Sequence, residues 1–591
     1  IRGDNTACGH SENMTQHRSP CSFDGLHEIE SGVMAQRHNT EQQHPTFRSA
    51  IQRVLTKVTL INQILVIVIL LIAQVLWWLA LILWLSRISP WLQTALWIFS
   101  AIVALTIIRT EPKPEVKLAW LAFILLAPIM GGLLYFLVGG GHAVISPLHK
   151  RLLKSEKLYS THLHQKSETL ETLSHKHPHE STNALYLINT ENSPVYENTS
   201  TRYFPMGEDA WPKMLEDLES AQHFIFLEYF IVEEGEMWDS ILEILERKVA
   251  AGVEVRMLYD DFGTLGLVPR DFFNQMRKKG IQCYCFNRFI PVLSIMMNNR
   301  DHRKILSIDG RVAYTGGINL ADEYVNRIEK HGRWKDTAIR LEGDAVWSFT
   351  LMFLQTWQAV SKRNEDVERY KISRNYQNSS AHADDSARNG NVASAGTSVN
   401  AGTASSGQMN TGYVQPYYGT PLNNEFEGEG VYLNLINAAR KKLYICTPYL
   451  IVDAEMIGAL RRAAQRGVRV CIVTPSIPDH KIVHLLTRSY YRPLLDAGVE
   501  IWEYTPGFIH AKLCLCDDVM ATVGSVNFDY RSLMHHFECG TVLYGTDSVK
   551  NISSDIEETL SQSTRIRRED THHGFVMSCF ISVLQLVSPL M

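Results

Sequence analysis

An imbalance of charge is the first thing this sequence lacks. Its 57 Lys and Arg stand against 62 Asp and Glu, a net charge of −5 over 591 residues. Bulk electrostatics therefore gives no reason to expect nucleic acid as a partner. Metal-ligand spacing is also missing. The ten cysteines are scattered, and the pairs Cys283/Cys285 and Cys514/Cys516 sit on one face of strand-like runs, as reduced core residues do. No metal and no cofactor is implied. A secretory signal is excluded, because the apolar runs are too long, repeated and set well inside the chain. Charge is absent altogether from three such runs, about residues 58–85, 90–108 and 118–138. Each is long enough to cross roughly 30 Å of hydrocarbon.

These runs predict an N-terminal α-helical transmembrane region over residues 51–141, with Trp77, Trp78, Trp84, Trp91 and Trp120 including its interfacial residues. Basic residues before the first run (Arg48, Arg53, Lys57), after the second (Arg109, Lys113, Lys117) and after the third (Lys150, Arg151, Lys154, Lys157) all favour the cytoplasm. Three full crossings cannot satisfy all of them. Either the tail lies outside or one segment does not cross, and Pro128 to Gly132 makes the third run the one open to a kink or re-entrant passage. The expected location is the cell membrane, multi-pass.

What the chain does have is a duplication. Asp301-His-Arg-Lys-Ile-Leu-Ser-Ile-Asp309 runs on to Gly316-Gly-Ile-Asn319, and His510-Ala-Lys-Leu-Cys-Leu-Cys-Asp517 runs on to Gly524-Ser-Val-Asn527. In both copies the Lys follows the His by two residues, the Asp by seven, the Gly by fourteen and the Asn by seventeen. Each copy lies in a β-prone run, where residues two apart share a face, so His302 projects with Lys304 and His510 with Lys512. Alone, either copy reads equally well as an edge strand with solvated side chains; the pair does not. Face to face, the copies offer two imidazoles, two ammonium groups and the amides of Asn319 and Asn527, a set suited to a phosphodiester. One His can attack phosphorus while the other protonates the departing alcohol. The lysines and amides can stabilise charge on the non-bridging oxygens, and the small residues at 316, 317, 524 and 525 would admit the phosphate to the backbone. Asp309 and Asp517 complete the catalytic motif. They leave the strand on the opposite face, so tying down the turn suits them better than chemistry.

The paired motifs resemble the phospholipase D superfamily. Phe226-Leu-Glu-Tyr-Phe230, Thr447-Pro-Tyr-Leu450, Tyr504-Thr-Pro-Gly-Phe-Ile-His510, Asn527-Phe-Asp-Tyr-Arg-Ser532 and His535-His-Phe-Glu-Cys-Gly540 make the chain similar to bacterial cardiolipin synthases over about residues 55–565. The resemblance implies a membrane enzyme, its catalytic part at the cytoplasmic face, that joins two phosphatidylglycerol molecules into cardiolipin through a phosphohistidine. It implies His302 as nucleophile and His510 as acid and base; the sequence itself makes them symmetric. It also supports carboxylates that orient the histidines, Asp336 and above all Glu538, although they lie 34 and 28 residues beyond the His of their own half. His535 and His536 are adjacent and point apart, and neither is assigned a role. A phospholipase D using water or another alcohol, and a lipid-binding scaffold, remain as rival readings.

The fold class that follows is α/β: two phospholipase D-like repeats, each a mixed sheet flanked by helices. Strand, helix, strand order recurs at 224–259 and 443–473, and Ala250-Ala-Gly-Val-Glu-Val255 parallels Gln465-Arg-Gly-Val-Arg-Val470. The expected domains are a polar tail (1–50), the membrane region (51–141), a connector (142–190), repeat 1 (191–371), a Ser/Asn/Gly-rich linker (372–412), repeat 2 (413–570) and an apolar segment suited to the bilayer interface (571–591).

Overall fold

The computed structural model describes residues 90–110, 113–135, 147–288, 298–371, 412–423 and 425–590, together with residues 76, 79, 80 and 84. The predicted polar tail, most of the first apolar run and nearly all of the predicted linker lie outside these residues.

Two sheets carry the architecture. The first half contributes β1 (Thr199–Phe204), β2 (Phe224–Tyr229), β3 (Glu254–Asp260), β4 (Gln282–Phe286), β5 (Lys304–Ile308), β6 (Val312–Gly316), β7 (Arg333–Lys335) and β8 (Ala338–Gly343). The second contributes β9 (Tyr413–Gly419), β10 (Lys442–Cys446), β11 (Leu450–Ile451), β12 (Arg469–Pro475), β13 (Glu500–Tyr504), β14 (Gly507–Ile509), β15 (Leu513–Cys516), β16 (Met520–Gly524), β17 (Phe528–Asp529), β18 (Glu538–Tyr544) and β19 (Ser563–Arg565). The main sheet orders are β1-β8-β6-β5-β2-β3-β4 and β9-β18-β16-β15-β10-β12-β13-β19. Strand for strand the second repeats the first, with β19 added at the far edge. In each, three strands run parallel (β2-β3-β4 and β10-β12-β13) and the motif strand β5 or β15 pairs antiparallel to the first of them.

The central strands are buried on both faces, which explains why apolar residues stand at consecutive positions in them. On one face, β2 and β3 pack Ile225, Leu227 and Met257 under the helices Gly207–Glu219 and Glu236–Ala250. On the other, Ile305, Ala313 and Leu341 of the first half share one core with Leu513, Leu515, Val523 and Leu543 of the second. Alternation along β15 puts Leu513 and Leu515 in that shared core and Cys514 and Cys516 in the second half's own core, all four buried. The sheets thus meet face to face. At one end the chain closes the seam twice: β14 pairs parallel with β7, and Asp301 bridges Phe537.

The connector is folded. Helix Pro147–Ser160 lies against helix Val346–Ser361, with Arg151 Nε donating to the Ala359 carbonyl at 2.6 Å and Ser155 Oγ to that of Gln355 at 2.8 Å.

The membrane region departs from expectation. The second apolar run forms helix Pro90–Thr110, but the third does not continue as one helix. It divides into Pro114–Leu126 and Pro128–Leu134 around Ala127 (φ −142°, ψ 75°). Pro128 has no N–H to donate and disfavours helical backbone at the residue before it. Among the described residues no helix is long and apolar enough to cross a membrane. These helices nevertheless expose large apolar side chains, among them Trp91, Ile102, Leu105, Leu125 and Leu126. The C-terminal helix Phe575–Val587, which packs against helix Pro114–Leu126, exposes Phe575, Val576 and Phe580. Between the first two of these helices, Lys113 is buried against the second repeat, donating to Glu429 at 2.6 Å and to Asp453 at 2.7 Å.

Candidate active site

Both motif histidines sit just before their strands, at the seam between the halves. The His302 N–H donates to the Phe537 carbonyl at 2.9 Å and the His510 N–H to that of Lys335 at 2.7 Å. Each histidine is therefore moored by backbone of the opposite half. Beyond each mooring point lies a carboxylate. His302 Nδ1 faces Glu538 Oε1 at 2.9 Å and Oε2 at 3.0 Å, and His510 Nδ1 faces Asp336 Oδ2 at 2.6 Å. The pairing crosses from half to half, which is why offsets counted within one half carried so little information. A carboxylate only accepts, so each Nδ1 bears the proton and each Nε2 presents a lone pair.

His302, His510, Lys304, Lys512, Asp336 and Glu538 are all buried. Lys304 Nζ donates to the His302 carbonyl at 2.5 Å, and Lys512 Nζ donates to the His510 carbonyl and lies 2.8 Å from its Nδ1. Burial, then the ammonium groups of Lys304 and Lys512, holds His302 well below the usual imidazole range. Burial and Lys512 push His510 down to about 4, with Asp336 opposing. Burial also lowers Lys304 to about 8 and Lys512 to about 7. This is a desolvated pocket in which two buried amines stand beside the two His–carboxylate pairs, an environment that would stabilise an oxyanion.

Other expected residues behave differently. Asp309 and Asp517, counted with the catalytic motif, stand at the far end of their strands. Asp309 accepts from the backbone N–H groups of Gln222, His223 and Phe224 at 2.7–2.8 Å, and Asp517 from those of Arg440, Lys441 and Lys442 at 2.7–2.8 Å. Both adopt left-handed backbone (φ 52° and 51°), which Asp tolerates through such local bonds. They clasp the motif turn to the start of the neighbouring strand, and the odd spacing from the His keeps them out of the pocket.

Asn319 is engaged within its own half, accepting from the Ile231 N–H at 3.0 Å and donating to the Tyr324 hydroxyl at 2.8 Å. Asn527 Oδ1 is buried without a partner. Two of the small residues of the motif, Gly317 and Ser525, stand against the orienting carboxylates. A Cβ on Gly317 would come within 2.0 Å of Asp336 Oδ1. At the matching position Ser525 Oγ donates to Glu538 Oε2 at 2.5 Å.

The sequence reading missed the aromatic lining. Phe230 lies edge-on to His302 (centroids 4.9 Å), Tyr324 edge-on to His510 (5.4 Å), Trp334 beside His510 (5.4 Å) and His536 beside His302 (5.4 Å). The available signal was that Trp334 and His536 each stand two residues before a carboxylate, Asp336 or Glu538.

Repeated mixed sheets with crossed His–carboxylate pairs at their seam define a phospholipase D-like α/β protein. Residues 214–332 and 432–560 match the family model described as cardiolipin synthase, PLD-like domain, and residues 95–140 match one described as phospholipase D-nuclease N-terminal. A cardiolipin synthase of Geobacillus sp. (strain WCH70) is 32% identical over 83% of this chain and 91% of its own length. An uncharacterized protein of Streptococcus mutans serotype c is 43% identical over 80% of this chain and 96% of its own. The crystal structure of phosphatidylserine synthase from Haemophilus influenzae Rd KW20 superposes with a TM-score of 0.50 at 15% identity, over 69% of this chain and 100% of that one, a likeness of fold. The chain belongs to the cardiolipin synthase family and is a phosphatidyltransferase.

Proposed function

We propose that this enzyme transfers a phosphatidyl group from one phosphatidylglycerol to the hydroxyl of another, giving cardiolipin and glycerol. The observation that carries the reading is the crossed pair of hydrogen bonds, His302 to Glu538 and His510 to Asp336, beside two buried ammonium groups. The bound phosphodiester anion favours protonation of His510; His302 Nε2 then attacks phosphorus as the P–O bond to glycerol breaks, and the protonated His510 gives its Nε2 proton to the departing oxygen. The phosphatidyl group is then held on His302 by a P–N bond. A hydroxyl of the second phosphatidylglycerol attacks that phosphorus, its proton passes to His510, and the P–N bond breaks. Lys304 and Lys512 offset the growing charge on the non-bridging oxygens. His302 is taken as nucleophile on the family resemblance.

Both substrates are lipids, so the protein works at a bilayer. The apolar helices 90–135 and the C-terminal helix are its membrane-contacting elements in this reading, with the repeats at the cytoplasmic face. The test is the purified, detergent-solubilised protein supplied with phosphatidylglycerol alone. Cardiolipin and glycerol in equal amounts, with a trapped adduct on His302, are expected. Free phosphatidic acid as the main product would make it a hydrolase, and an adduct on His510 would reverse the histidine roles. No product would leave a lipid-binding scaffold.

A further inference from the structure

We propose that His536 is a third imidazole of the active site, donating its ring N–H to a non-bridging oxygen of the phosphoryl group while that group is bonded to His302. The inference rests on the phosphoryl-transfer reading above and adds a residue to it.

Its position follows from the seam. Phe537 donates its N–H to the Arg300 carbonyl at 2.8 Å and accepts from the His302 N–H at 2.9 Å, so His536 is carried to the flank of His302. The rings lie 5.4 Å apart, inclined by 40°. Both nitrogens of the buried His536 ring lack a hydrogen-bond partner. Glu538 Oε1 is 3.7 Å from Nδ1, beyond hydrogen-bond reach, and is already held by His302. Leaving a buried N–H unpaired costs stability, and such groups in folded proteins call for an explanation. Here a bound oxyanion supplies the missing acceptor.

The duplication gives independent support. Two residues before Asp336, as His536 is two before Glu538, stands Trp334, whose ring lies 5.4 Å from His510 at 47°. Its buried Nε1–H is also unpartnered. Each half thus lays a ring bearing an unpaired N–H against the catalytic imidazole moored by that half. Indole and imidazole share a flat ring and that donor.

A cation is the competing ligand, since His302, His536 and Glu538 bring three donor atoms within 4.8 Å of one another. Lys304 and Lys512 bear on the same ring of His302, and their charge opposes a cation and favours an anion. Burial keeps His536 neutral, pushed down to about 3, so the ring offers one N–H and serves as a donor rather than a general acid.

The test compares the full-length parent with His536→Phe, which keeps a ring and removes the donor, and His536→Gln, which keeps a donor and removes the ring. His536→Met is a second donor-free variant should Phe not fold. Tungstate affinity measured calorimetrically in detergent should fall ~10-fold or more in the donor-free variants and largely return in Gln. In turnover, kcat should fall while KM for phosphatidylglycerol changes little, because the donor acts on the intermediate. Tungstate binding within twofold of the parent in Phe or Met would overturn the proposal. So would equal losses in Phe and Gln, which would mark a packing role, or Zn2+ binding to the parent that His536→Phe abolishes. Tungstate binding needs no turnover, so a parent that proves to be a hydrolase leaves this readout intact and fails only the acceptor assignment.

Discussion

Glu538, in the second half of the chain, accepts a hydrogen bond from the imidazole of His302 in the first at 2.9 Å, and Asp336 does the same for His510 in the opposite direction. Neither half therefore contains a complete His–carboxylate pair, and the chemistry exists only when the sheets are docked. Coupling should follow this crossing and not the sequence. In double-mutant cycles, Glu538→Gln should be strongly non-additive with His302→Gln and nearly additive with His510→Gln, and Asp336→Asn the reverse. Each single carboxylate change should lower kcat on the order of 10²–10³-fold by releasing the tautomer. Coupling of Glu538 to His510 instead would show that the observed pairing is not the working one.

Oxyanion binding should take up protons. Burial lowers Lys512 to about 7 and Lys304 to about 8, so at neutral pH the empty pocket is only partly charged. An anion favours the charged amines and raises both values. Tungstate titrations in buffers of different ionisation enthalpy should report net uptake between about pH 7 and 9, with affinity falling as pH rises through 8. Binding heats independent of buffer would contradict the assigned electrostatics.

The same burial makes acid destabilising. His510 has a folded-state value lowered to about 4, below the ordinary imidazole value of 6.5. Its contribution to stability is full above the unfolded value and is lost as pH falls through the folded one. Between these limits the unfolded chain binds more protons, so stability drops as pH falls, by at most about 1.4 kcal/mol per pH unit for each such group. His510→Gln should flatten the dependence of Tm on pH between 6.5 and 4. An unchanged slope would mean the ring is not held neutral.

The clasps at Asp309 and Asp517 predict stability effects without chemical ones. Each carboxylate accepts three backbone N–H bonds. Truncation to Ala should cost on the order of 3 kcal/mol and strain the left-handed backbone further. Thermal unfolding should shift down, while kcat per folded enzyme stays within a few-fold. A large kcat loss in protein of normal Tm would restore these residues to the catalytic set.

What could be read in the sequence divides along physical lines. Period-two alternation and the repeated His–Lys spacing are local, and they placed β5 and β15, although the histidines read as strand residues sit just before them. β2, β3, β10 and β12 were likewise legible as strands, while their burial on both faces was not read from the sequence. Crossed pairing is not local: Glu538 reaches His302 across 236 residues, and nothing in either segment records that. His536 was discounted because adjacent residues point apart, which holds, but only the docked seam shows which of the pair faces His302. The third apolar run breaks where the sequence marked a kink, at Pro128, which ends the preceding helix at Ala127.

Gly317 provides the sharpest separation between a residue that shapes the backbone and one that guards a proton. It is a small residue at the offset from its motif where Ser525 stands in the other half. An added Cβ would sit 2.0 Å from Asp336 Oδ1, with no room to relax, because that same oxygen accepts from the Thr337 N–H at 2.8 Å. Gly317→Ala must therefore displace the carboxylate from His510 and should reproduce the kcat loss of Asp336→Asn, the double variant being no worse than either single one. Ser525→Ala removes its hydrogen bonds to Glu538 and to the Cys539 backbone, but Glu538 keeps its contacts with His302, so the effect on kcat should be nearer 10-fold. Steady-state kinetics of the four proteins decides the matter. If Gly317→Ala retained full activity, Asp336 would not be orienting His510, and the two halves would not be functionally equivalent.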